Sequence, residues 1–133
     1  MIKFEKDING IHFNVNFVDS LNVLKGASGT GKTFLFNTIC SYCMLNKISY
    51  AYIDYTFVSS ADTKLIPEHC HDKDLIILDN ADLYLTPQLF SKIRELDSTI
   101  ILSKKTTFGL DMSEAHMYVI EYVDDSLSTR RLF

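Results

Sequence analysis

The chain has 133 residues, enough for one domain with a core and short for an enzyme with lids and insertions. Hydrophobic residues make up 47% and charged residues 23%, which excludes a disordered chain. A net charge of −4 and a pI near 5.4 give no basic field for nucleic acid or an anionic membrane.

MIKFEKDING carries charge where a signal peptide has its apolar stretch, and no apolar run reaches the length of a membrane span. Three cysteines, an odd number, do not make a secreted disulfide framework. The expectation is a cytoplasmic protein with reduced thiols. No repeat, linker or low-complexity tract interrupts residues 1–133, which read as a single domain.

In chain order, IKFEKDINGIHFNVNF reads as a β-hairpin, because Asn9-Gly10 is a two-residue turn signal between alternating segments. LNVLK, Leu21 to Lys25, is a short apolar strand that runs into a glycine-rich loop. Lys32 to Leu45 reads as a helix, with Phe34, Leu35, Thr38, Ile39, Tyr42 and Leu45 at helical spacing. SYAYIDY, Ser49 to Tyr55, is a second strand, and DTKLIPEHC holds at most a helical turn. LIILD, Leu75 to Asp79, is the third strand. Thr86-Pro87 starts a helix to about Leu96, with a hydroxyl at the cap and proline at the first helical position. Thr99 to Ser103 and Met117 to Tyr122 are further strands, and Asp124-Asp125-Ser126 turns the chain into a last one, Ser128 to Phe133.

Strands alternating with helices point to an α/β fold on a mostly parallel sheet. The continuous apolar strands LIIL and IIL need cover on both faces. Only two convincing helices are visible, so one face is expected to be thinly covered. A homo-oligomer or a protein partner would cover it.

GASGTGKT, residues 26–33, fits G-x-x-x-x-G-K-[ST] at every fixed position. Glycines let such a backbone curl, so that its N–H groups face phosphate oxygens at the positive end of a helix. Gly26, Ala27, Ser28, Gly29, Thr30 and Gly31 would form the cradle. Lys32 would reach the β- and γ-phosphates, and the Thr33 hydroxyl would bind Mg²⁺. Asp79 follows four apolar residues at the tip of a buried strand and would hold Mg²⁺, through water.

With GASGTGKT as Walker A and LIILD as Walker B, the chain resembles the P-loop NTPases, in the branch of the AAA+, RecA-like and ABC ATPases. The resemblance spans about Leu21 to Ser103. It implies a three-layer fold with strand order 5-1-4-3-2, flanked here by an N-terminal hairpin and a C-terminal antiparallel hairpin. It also implies Ser103 as a sensor-like strand tip, and ATP and Mg²⁺ as ligands. No LSGGQ-like signature, helical lid or N-K-x-D guanine motif accompanies it.

Asn80 stands where that pattern usually has the glutamate that polarises the attacking water. An amide orients water but is a very poor base. Lys32, Asn80 and Asp82 are the candidate catalytic residues, with Asp82 supplying a carboxylate if the loop bends. The expected function is a slow Mg-dependent ATPase, a switch or motor component acting with a partner or in an oligomer. The alternative is a regulatory module that binds nucleotide without useful hydrolysis. A third reading, a small-molecule kinase, would use Asp54 as acceptor-site carboxylate.

Other polar residues read as ordinary. Cys40 and Cys43 fall in the predicted helix, where thiols pack as small apolar groups, and His69-Cys70-His71 lacks a matching ligand pair. Arg130 and Arg131 read as a solvated strand end, Lys104 and Lys105 as a solvated loop.

Overall fold

Asn9 and Gly10 both adopt positive φ, 50° and 80°, the hairpin-turn geometry that matches the natural twist of strands. They join β1 (Ile2–Ile8) to β2 (Ile11–Phe17). β3 (Leu21–Lys25) leads towards α1 (Lys32–Leu45), and β4 (Tyr50–Ile53) leads to α2 (Tyr55–Ser60). A 3-10 turn, Thr63–Leu65, runs into α3 (Ile66–Cys70). β5 (Leu75–Leu78) ends in a second 3-10 turn, Ala81–Leu83. α4 (Pro87–Arg94) follows, and the Thr86 hydroxyl caps it by accepting from the Leu89 N–H at 3.1 Å. β6 (Thr99–Lys104), β7 (His116–Val123) and β8 (Ser126–Arg131) complete the order. The structure, a computed structural model, describes residues 2–25, 31–60, 63–105 and 114–132.

The fold class expected from the sequence is corrected by the strand pairing. In place of a three-layer fold with order 5-1-4-3-2 and two separate hairpins, the strands form one mixed sheet. It has eight strands in the order β1-β2-β8-β7-β3-β6-β5-β4. The outer pairs β1–β2 and β7–β8 are antiparallel. Neither hairpin is an appendage. β2 and β8 pair in parallel at His12–Ser126, Phe13–Leu127 and Asn14–Ser128, which fuses both hairpins into the sheet.

The physical reason lies in β2. Phe13, Val15 and Phe17 alternate along it and are fully buried. They share a cluster with Leu35, Phe36 and Ile39 of α1. The sheet curls to bring them there: Phe4 stacks on Tyr42 at 4.5 Å, and Phe13 meets Phe34 at 5.6 Å between ring centroids. The hairpin thus adds its apolar residues to the core on the α1 side of the sheet.

β7, β3, β6, β5 and β4 lie side by side and parallel within this sheet. Their side chains alternate between two cores. Ile76, Leu78, Ile100 and Leu102 face α3 and α4, whereas Leu75, Ile77 and Ile101 face α1. Because these strands run the same way, their C-terminal tips share one edge, where an open α/β sheet binds ligands. Among the described residues, no helix is long and apolar enough to cross a membrane.

Candidate functional site

The N-terminus of α1 and the tip of β5 meet at that edge. A cleft of about 620 Å³ opens between them. Its described lining includes Gly31, Lys32, Thr33, Asp79 and Asn80, and continues past Phe34 along α1 to Asn37 and Ser41. Gly26, Ala27, Ser28, Gly29 and Thr30, the rest of the expected phosphate cradle, lie outside the described residues.

Gly31 precedes α1 at φ +91°, a conformation that side chains rarely adopt, and a Cβ there would lie 3.3 Å from Leu127 Cδ1. The fixed glycine of the motif therefore has a backbone reason, and β8 packs directly against it. α1 carries no acidic residue in its first turn, so no side chain of that turn offsets the positive end of its dipole. Lys32 is buried, and its Nζ donates to Asn80 Oδ1 at 3.2 Å. Thr33 is exposed on the cleft wall.

Asp79 is 8% exposed and held from several sides. Ser103 Oγ, at the tip of β6, donates to its Oδ1 at 2.8 Å, and Tyr52 OH, from β4, donates to its Oδ2 at 3.0 Å. Its backbone N–H donates to Ile53 O at 2.8 Å. The Tyr84 hydroxyl lies 3.0 Å from Asp79 O and 3.1 Å from Ile53 O, so it bridges the ends of β5 and β4. Ser103, fully buried, also accepts the Asn80 N–H at 2.8 Å. Each carboxylate oxygen of Asp79 accepts one hydrogen bond from a hydroxyl and keeps a lone pair. Together with the Thr33 hydroxyl this is an all-oxygen donor set of the kind Mg²⁺ takes.

Burial pushes the Tyr52 and Tyr84 phenols well above their ordinary value of 10.0, and the nearby Asp79 charge adds to the rise. The folded state therefore keeps both protons at pH values where the unfolded chain has lost them. That contribution is complete below about pH 10 and falls as pH rises through the folded values. Chemical denaturation of the wild type between pH 9 and 12 should show stability falling above about pH 10. The Tyr52→Phe, Tyr84→Phe double variant should show a shallower fall.

Asp82, a candidate carboxylate in the sequence, sits in the 3-10 turn after Asn80 and is absent from the described cleft lining. Asn80 starts that turn in the left-handed region, φ 51° and ψ 50°, and its carbonyl accepts the Leu83 N–H at 3.0 Å. Asp54 Oδ1 accepts the Phe57 N–H at 2.9 Å, which makes it the cap of α2. Arg130 pairs with Glu121, and Arg131 donates to His116 Nδ1 at 2.6 Å, both across the β7–β8 hairpin. Cys43 and Cys70 are buried, and desolvation raises both thiols to about 11. Among the described residues, no group of three or more His, Cys, Asp or Glu side chains is placed to hold a metal ion.

The parallel sheet edge thus carries a lysine at a helix start with a buried aspartate beside it. The chain is similar to AMPPCP-bound DnaA from Aquifex aeolicus, with a TM-score of 0.61 and 16% sequence identity. That likeness covers 81% of this chain and 42% of DnaA, so the chain spans less than half of its neighbour. No family model and no curated protein sequence matches the chain.

Proposed function

We propose that the protein binds a nucleoside triphosphate, ATP with Mg²⁺, in the cleft between α1 and β5, and acts as an occupancy switch with slow turnover. The observation that carries this reading is the pairing of Lys32 with the Asp79–Asn80 tip across the cleft. Lys32 and the dipole of α1 supply positive charge for the phosphates. Asp79 and Thr33 would hold the cation. A cation held by these residues would supply charge that offsets the phosphates. The neighbour's ligand, AMPPCP, is a triphosphate analogue, which agrees with a ligand of this class.

Slow turnover follows from the residues present. Asp79 is the only carboxylate in the described lining, and its oxygens face hydroxyl donors. Asn80 has no basic atom to offer a water. A partner chain or a second copy would supply the missing carboxylate in an active ATPase. Asp54, the acceptor carboxylate of the kinase reading, caps α2 through Oδ1 and is absent from the described cleft lining.

The test is a calorimetric titration with Mg-ATP, followed by phosphate release from the same sample. The expected result is saturable binding that EDTA weakens, with turnover far below about 1 s⁻¹. If no nucleoside triphosphate binds, the reading fails. Fast turnover by the chain alone would remove the switch and leave an ATPase.

A further inference from the structure

The Lys32–Asn80 contact rests on backbone geometry as much as on side chains. Asn80 is left-handed, and its N–H is tied to Ser103 Oγ, which also donates to Asp79. The start of a 3-10 turn fixes its other side. The Asn80 backbone is therefore held from both sides, and Lys32 reaches its amide oxygen from α1 at 3.2 Å. Asparagine and aspartate tolerate this backbone, whereas glutamate does so poorly. A glutamate would also meet Lys32 as a charge, whereas Asn80 meets it as a neutral dipole.

We propose that the Asn80 side chain is a neutral placeholder on the Lys32 ammonium, displaced by the terminal phosphate of a nucleoside triphosphate, and that this exchange sets the preference of the site for triphosphate over diphosphate. The inference rests on the nucleotide reading above. An ammonium has three donors. A diphosphate engages Lys32 from the helix side and leaves the Asn80 contact in place. The terminal phosphate of a triphosphate extends towards the β5 tip and takes the donor that Asn80 held. A neutral acceptor yields that donor easily; a carboxylate would hold it as an ion pair and would also repel the phosphate.

The experiment measures affinities for Mg-ATP and Mg-ADP in the wild type, Asn80→Gly, Asn80→Asp and Lys32→Ala. Both substitutions at position 80 suit the left-handed backbone, and thermal melts confirm that each variant is folded. Asn80→Gly should tighten ATP several-fold and leave ADP unchanged. Asn80→Asp should weaken ATP at least about tenfold, with a smaller effect on ADP. Weaker or unchanged ATP binding in Asn80→Gly overturns the proposal, because Asn80 then contacts the nucleotide or nothing that matters. An unchanged ATP-to-ADP ratio in Asn80→Asp overturns it too. If the wild type binds neither nucleotide, or Lys32→Ala binds as well as the wild type, the nucleotide reading itself has failed.

Discussion

Lys32→Ala should weaken Mg-ATP binding by about a hundredfold or more. The lysine is buried at the first position of α1, and no other cation lines the described cleft. A charge-assisted hydrogen bond is worth about 1.5–3 kcal/mol, and under the proposed function two phosphates would share this ammonium, so roughly 3 kcal/mol is at stake. The fold should barely notice. The substitution removes one contact to a half-buried amide, and alanine is the best helix former. Calorimetry and a thermal melt on the same variant separate the two effects. Lost binding at an unchanged melting temperature is the expected pair of results; retained binding would move the phosphates elsewhere.

Phe36→Ala should cost about 3–5 kcal/mol of stability, a large share of the roughly 5–15 kcal/mol that holds a domain together. Phe36 is fully buried where α1 meets the curled sheet. Its ring lies edge-on to Tyr52 at 6.1 Å, and Tyr52 in turn holds Asp79. The damage should therefore travel to the site. Urea denaturation reads the stability loss, and Mg-ATP affinity in the surviving folded fraction reads the loosened Asp79. A variant as stable as the wild type would mean that the core on this face repacks freely.

Local chemistry made part of this molecule legible in the sequence. Asn9-Gly10 forces a hairpin by its own dihedrals, and Thr86-Pro87 starts a helix by its own cap. Motif spacing placed Lys32, Thr33, Asp79 and Asn80 around one cleft. Pairing between distant strands has no local signal. SLSTRR in β8 offers a single apolar residue, Leu127, and nothing in it names β2 as a neighbour. The same limit hid Tyr52, which reads as a core aromatic until β4 is seen to lie beside β5 with its hydroxyl on Asp79. Asp82 lies in the 3-10 turn and is absent from the described cleft lining, a placement that its nearness to Asp79 along the chain does not reveal. The left-handed turn at Asn80 carries the chain into a 3-10 turn, and Asp82 with it.

The seam between β2 and β8 has a consequence for biosynthesis. The hairpin β1–β2 is made well before its partner strand β8, with every other described element synthesised between them. Besides three paired positions, that seam holds a bond from the Asn16 N–H to Thr129 Oγ1, across a separation of 113 residues. Closing so long a loop is slow, and an unpaired strand edge invites other chains while it waits. During translation Phe13 can meet α1 early, but its β8 neighbour Leu127 arrives only when that strand is made. A hairpin made early is thus seated late, and a chaperone has that interval in which to act.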